Sequence, residues 1–114
     1  MAHAQTELLQ GTLELMILNI LSLEPLHGWG LSLRLRQQSR DVFQVNQGSL
    51  YPALQRLKSK GWIRSEWRVT EHNRRARYYL LTEAGARELR KERAQWERVS
   101  AAVNWVLNPS GGRT

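Results

Sequence analysis

The chain predicts a mainly α-helical fold that carries a two-stranded β wing and is closed by one long helix, and three stretches of sequence predict it. In the run Gly48-Ser-Leu-Tyr-Pro-Ala-Leu-Gln-Arg-Leu-Lys-Ser-Lys-Gly61, apolar residues recur at helical spacing between local start and stop signals. Directly after it, apolar and polar residues alternate with period two on both sides of a basic tip, Asn73-Arg-Arg-Ala-Arg77. Beyond residue 83 the apolar positions fall into heptads.

The first helix rests on Leu13, Met16, Ile17, Ile20 and Leu21, a stripe that Leu15 and Leu18 widen. Such a helix is buried on most sides, and Pro25 marks its end. The next segment is ambiguous. Trp29, Leu31, Leu33 and Leu35 alternate with Gly30, Ser32, Arg34 and Arg36, which on periodicity alone favours a strand. A connector over residues 40–47 leads to the third segment, where Leu50, Leu54 and Leu57 share one face and Tyr51, Gln55, Arg56, Lys58 and Lys60 occupy the other. Ser49 reads as its N-cap, Pro52 as a first-turn residue whose missing N–H is no loss, and Gly61 as its left-handed stop.

In the first strand of the hairpin Ile63, Ser65, Trp67 and Val69 point one way and Arg64, Glu66 and Arg68 the other, the pattern of a half-buried strand. In the second, Ala76, Tyr78 and Leu80 alternate with Arg77, Tyr79 and Leu81. The polar stretch 70–75 is too long for a two-residue turn, so a mobile tip is expected, with Arg77 paired across the hairpin to Glu66 or Glu71 as an alternative to a free cation. Thr82, with Glu83 behind it, caps the closing helix. On that helix Leu89, Trp96, Val99, Val103 and Val106 occupy a and d positions, with Glu92 the one polar intruder. The stripe runs past what a small three-helix body covers, so the expected cover is a second copy of the chain, the alternative being a fold-back onto its own domain. Residues 108–114, with Pro109, Gly111 and Gly112, are expected to form a disordered tail.

With 41% hydrophobic content the chain supports one core. It has no cysteine, which excludes disulfides and thiolate zinc sites. The longest apolar stretch, residues 13–23, is interrupted by Glu14, Asn19 and Ser22 and falls short of the roughly 20 residues of a membrane span. Together with an N-terminus that lacks the basic region of a secretory signal, this predicts a cytoplasmic protein without a membrane partner. His3, His27 and His72 have no metal-ligand spacing, and neither a Gly-rich phosphate loop nor a Ser, His and acid set is present. No enzyme, metal or cofactor is therefore expected, and His27 before Gly28 reads as a turn or capping residue.

The net charge of +7 is unevenly placed. Residues 1–33 carry three acids and no Lys or Arg, residues 34–80 carry eleven bases against three acids, and residues 81–114 carry six against four. The excess therefore sits on the third helix and the hairpin, which favours a polyanion partner over a merely solvated face. RNA is the harder rival to duplex DNA, but the sequence lacks the aromatic-rich strand surface of single-strand readers. A protein-interaction module is the other alternative, and the basic middle segment argues against it. Trp96 on the stripe and Trp105 near the end of the same helix suggest a cavity between paired subunits, lined by indole faces that suit a small planar hydrophobic ligand. The alternative is that both side chains simply pack.

The ordered motifs His27-Gly-Trp-Gly-Leu31, Gly48-Ser-Leu-Tyr-Pro-Ala-Leu54, Arg56-Leu57, Gly61-Trp-Ile63 and Arg77-Tyr-Tyr-Leu-Leu-Thr82 resemble the PadR family of winged helix-turn-helix transcriptional regulators, over residues 8–107. The resemblance implies a helix over residues 28–39 against the periodicity. It implies a winged-helix DNA-binding domain over 1–82 and a C-terminal dimerisation helix over 83–107, with a single helix after the wing. It further implies a homodimer, usually a repressor, on a pseudo-palindromic operator, with the dimer interface at Leu89, Trp96, Val99, Val103 and Val106. The residues matching the family's groove contacts are Ser49, Tyr51, Pro52, Gln55 and Arg56. Groove chemistry then assigns Ser49 and Tyr51 to phosphates and Gln55 and Arg56 to base edges. It gives Lys58 and Lys60 to phosphates, and Arg74, Arg75 and Arg77 to the adjacent minor groove. Trp29 stands where the family more often has Tyr, and the wing tip is a basic variant.

Overall fold

A computed structural model describes residues 2–109, with side chains from residue 11 onward. The order is α1 (Ala2–Leu21), β1 (Leu26–His27), α2 (Gly28–Gln38), α3 (Gln47–Ser59), β2 (Ile63–Val69), β3 (Arg75–Leu81) and α4 (Glu83–Leu107). The first three helices close around a core built from Ile17, Leu18, Leu31, Leu35, Leu50, Leu54 and Leu57, with Ile63 and Tyr79 added from the base of the hairpin. Beyond Pro109 the tail expected to be disordered lies outside the described residues.

The two-stranded wing is joined at its base by a third, short strand. β1 pairs antiparallel with β3, Leu26 opposite Tyr79 and His27 opposite Tyr78, in the sheet order β1-β3-β2. Two residues are too short to show a period, and Glu24 before Pro25 is pushed toward extended backbone, which feeds the chain into the pairing. His27 then caps α2, its Nδ1 accepting from the Gly30 N–H at 3.0 Å, while its ring meets Tyr78 edge-on at 5.2 Å.

The alternation in α2 resolves into two helical faces. Leu31 and Leu35, four apart, are buried, whereas Trp29 and Leu33, also four apart, face outward. The α3 start is three residues earlier than the Ser49 reading. Asn46 is the N-cap, its side chain accepting from the Ser49 N–H at 2.9 Å, so Ser49 is the N3 residue. Pro52 therefore lies inside the helix, where it deletes the bond its N–H would have given to the Gly48 carbonyl. The stop is as expected: Gly61 has φ +77°, with Trp62 N–H donating to Leu57 O and Gly61 N–H to Lys58 O.

β2 and β3 pair from Ile63 opposite Leu81 to Val69 opposite Arg75. Only Ile63 on β2 is buried; Trp67 and Val69 are exposed, because the hairpin leaves the body at Ser65 and the half-buried reading fails beyond it. The tip is a hydrogen-bonded turn in which the Thr70 hydroxyl accepts from the N–H groups of His72 and Arg74, and Asn73 takes φ +60°. Thr82 caps α4 as expected, accepting from Gly85 N–H and donating to the Gly61 carbonyl. This ties the start of α4 to the end of α3.

Leu89 is 6% exposed and belongs to the chain's own core, which corrects its assignment to the dimer interface: α4 crosses α1 at this point and covers it. Beyond Leu89 the stripe leaves the body, and Trp96, Val99, Val103 and Val106 are all exposed. Glu92, the polar intruder, is held above its ordinary carboxyl value of 4.5, first by a hydrogen bond with Glu88 and then by burial, with Glu88 and Glu14 adding repulsion and Lys91 opposing. A raised folded-state value means that this group's stabilisation is full below pH 4.5 and is lost as the pH climbs through the folded value. Glu92→Gln, which keeps a donor for Glu88 at every pH, is therefore expected to melt higher than the parent at pH 7, and the gap to close near pH 4. Thermal unfolding at the two pH values measures it.

Candidate nucleic-acid interface

The interface is built on α3. Its inner face, Leu50, Ala53, Leu54 and Leu57, is locked into the core, so the outer residues are held by a rigid element. Helical spacing places Gln47, Tyr51 and Lys58 on the edge toward the wing, with Gln55 beside them. Facing this edge across an open groove of about 1250 Å³ stands the wing, with Trp67, Arg74, Arg75 and Arg77 on the groove wall. Glu24 and Glu71 also border the groove, and Glu24 is already taken by Arg34.

Tyr51 does two things at once. Its ring is 40% exposed, yet its hydroxyl leans on the start of α2 so closely that a Cβ on Gly28 would lie 2.6 Å from it. The contact aims the hydroxyl at the N-terminus of α2, where free N–H groups favour an anion. Packing on the second helix and presentation to the groove thus coexist.

Arg56 and Lys60 are not with them. Arg56 Nε donates to Glu14 Oε2 at 2.6 Å and Lys60 Nζ lies 4.0 Å from Glu14 Oε1, so both turn toward α1. Lys60 also lies over the Trp62 ring at 4.8 Å. The physical reason is angular: Arg56 lies five residues, or about 500°, beyond Tyr51, which carries it past the outer face to the α1 flank. Ser49, half-buried and likewise on the α1 flank, is not among the groove residues. Pro52 is exposed on the outer face.

Ion pairing sorts the basic segment. Of the eleven bases in residues 34–80, Arg34 pairs with Glu24, Arg36 with Asp41, Arg56 and Lys60 with Glu14, and Arg64 and Arg68 with Glu66. Among the described residues, Arg40, Lys58, Arg74, Arg75 and Arg77 have no carboxylate partner. Four of these five are the cations of the α3 edge and the wing. Glu66, hydrogen-bonded by Arg68 and then Arg64, is held below the usual carboxylate range and stays ionised. Arg77 does not reach Glu66 or Glu71; it donates to Ser65 Oγ at 2.9 Å and stacks on Trp67. Trp67, read from the sequence as facing a core, is instead a groove residue; the cross-strand register that brings Arg77 opposite it is visible only once the hairpin is closed.

Within one protomer Trp96 and Trp105 do not line the same cleft. Nine residues separate them, about 900° of helix, so they project from opposite sides of α4. Trp96 borders an apolar cleft of about 380 Å³ with Leu15, Met16, Ile20, Leu35 and Phe43, whereas Trp105 is exposed away from it.

Residues 17–91 match the transcriptional regulator PadR-like family. The chain is 38% identical over 77 residues to the transcriptional regulator Rv3488 of Mycobacterium tuberculosis, covering 68% of each protein. Its structure is similar to that of a PadR family transcriptional regulator from Eggerthella lenta, with TM-score 0.77 and 32% identity over 94% of this chain and 91% of the other. It is likewise similar to a PadR-like transcriptional regulator from Bacillus cereus, with TM-score 0.79 and 31% identity over 90% and 97%. With the same winged-helix body and the same long closing helix, the chain belongs to the PadR-like family and is a transcriptional regulator, not an enzyme.

Proposed function

We propose that the protein is a homodimeric, sequence-specific regulator that binds a pseudo-palindromic operator in duplex DNA, in the family's usual role of repressor. One observation carries this reading: among the described residues, four of the five cations of the basic segment left without a carboxylate are Lys58 on the α3 edge and Arg74, Arg75 and Arg77 of the wing, and the three arginines line the groove that Tyr51 of α3 also borders. An A-form RNA major groove is too deep and narrow for α3 to enter, which favours B-form DNA. A protein partner would not need that cluster of unneutralised charge. As a DNA-bound regulator it acts in the cytoplasm, and no helix among the described residues is long and apolar enough to cross a membrane.

In this reading α3 lies in the major groove, Tyr51 and Lys58 hold phosphates, and Gln55 reaches base edges. With Arg56 engaged by Glu14, Gln55 is the principal reader. The wing arginines follow the neighbouring minor groove and supply salt-sensitive affinity. The second protomer docks on Trp96, Val99, Val103 and Val106. The radius of gyration of 15.9 Å supports this, because a compact chain of this length has roughly 13 Å. The part of α4 beyond Leu89, with its exposed apolar stripe, contributes to the excess. A planar hydrophobic ligand beside Trp96 would sit where the two protomers meet and alter the spacing of their α3 helices, so it would shift operator affinity by the coupling free energy.

Selection from a randomised duplex pool, followed by mobility shifts, tests the reading. Tyr51→Ala is expected to weaken every duplex by about tenfold, as loss of a charge-assisted hydrogen bond does. Gln55→Ala is expected to change which duplex is preferred, since one base contact is worth about 1–3 kcal/mol of discrimination. An unchanged preference removes Gln55 from the readout, and equal competition by duplex RNA removes the DNA reading.

A further inference from the structure

β2 has left the body by the time it reaches Trp67, and the indole is 54% exposed, so it fills no core. The register explains what it touches. Arg77 lies directly opposite Trp67, and Arg75, two residues along β3 on the same face, is its diagonal neighbour. Both guanidinium groups lie over the one ring, Arg77 at 4.8 Å and Arg75 at 5.2 Å from its centroid. Arg77 is fixed further by its hydrogen bond to Ser65 Oγ. Among the described residues neither cation is paired with a carboxylate: Glu66 sits on the other face of the hairpin with Arg64 and Arg68, and Glu71, which borders the same groove, makes no ion pair with either. The wing thus separates its charges by face, with Arg64 and Arg68 paired to Glu66 on one and Arg75 and Arg77 unpaired on the other.

We propose that Trp67 is the positioning residue of the wing, a single indole that holds Arg75 and Arg77 side by side in the posture in which they meet DNA phosphates. The inference rests on the DNA-binding reading above. Its physics is preorganisation. Two arginine side chains lose much rotamer freedom when they bind, and stacking removes part of that freedom beforehand. A stacked guanidinium spends its flat face on the ring and keeps the N–H groups on its edge for phosphate oxygens. The negative face of the indole also offsets the repulsion between two cations held close together.

The test is titration of a labelled duplex over a range of salt concentrations with the parent, Trp67→Leu, Trp67→Phe, and Arg75→Ala/Arg77→Ala with and without Trp67→Leu. Trp67→Leu is expected to bind about tenfold more weakly at 0.1 M salt, about 1.4 kcal/mol. The salt slope stays unchanged, because the same cations still displace counterions. Trp67→Phe is expected to stay within about threefold of the parent, since it keeps an aromatic face. In the arginine-free background Trp67→Leu is expected to change nothing further. Every variant should melt with the parent, because the indole lies outside the core. Parent-like binding by Trp67→Leu overturns the inference, and so does the same tenfold loss in the arginine-free background, which means the indole touches DNA itself. Failure of the parent to bind any duplex overturns the DNA reading instead, and the inference with it.

Discussion

Alanine at Arg74, Arg75 and Arg77 together is expected to lower the affinity for duplex DNA by about a thousandfold at 0.1 M salt and to flatten its salt dependence. The three are the wing's cations without a carboxylate partner, and in a dimer they amount to six charges. Each phosphate neutralised contributes a slope of about −0.9 in log affinity against log salt, hence nearly one decade at 0.1 M relative to 1 M. If half of the six reach phosphates, the loss is about three decades. Arg64→Ala with Arg68→Ala is the control, since both of these arginines already pair with Glu66 on the other face. Fluorescence anisotropy over a salt series measures both pairs of quantities. A control that loses as much as the wing variant would mean that net charge alone, not its placement, drives binding.

Gly85→Ala is expected to destabilise the fold by about 3 kcal/mol or more. A Cβ at this position would run into the Trp62 carbonyl oxygen and lie 2.8 Å from Leu81 Cδ1. That carbonyl cannot step aside, because it accepts from the Thr82 N–H at 3.1 Å in the same junction that holds the Thr82 cap. Leu81 Cδ1 ends a rotatable side chain, but the Trp62 oxygen is backbone, so the first turn of α4 must move away from the α3 stop. The midpoint of thermal unfolding should fall by roughly 10 °C or more. Gly11, with open space around it, is the control position, and Gly11→Ala should leave the midpoint unchanged or higher. A Gly85→Ala midpoint equal to the parent's would mean the junction is looser than the close approach implies.

The features legible in the sequence are those written locally. The inner face of α3, the left-handed Gly61 and the Thr82 cap each depend on residues within a turn of one another, and each is found where expected. What was not legible depends on partners far along the chain. Arg56 reads as a groove residue until α1 brings Glu14 to it from 42 positions away. Trp67 reads as half-buried until the hairpin register gives it two arginines instead of a core. β1 is two residues long and exists only because β3 offers an edge to pair with. The α2 alternation misleads because two i,i+4 pairs on different helical faces, Leu31 with Leu35 and Trp29 with Leu33, interleave in sequence as a period of two. Ser49 and Asn46 are both good capping residues, and Asn46 is the one used, directly after the buried Val45.

Hydroxyl-radical cleavage of a selected duplex bound by the protein reaches the central claim most directly, since that claim concerns two α3-and-wing units held at a fixed separation by paired α4 helices. It should show two protected segments of equal strength whose centres lie about 34–36 Å apart, or a multiple of this, with flanking minor-groove protection from each wing. One isolated protected segment, or even cleavage along the whole duplex at low salt, would contradict it.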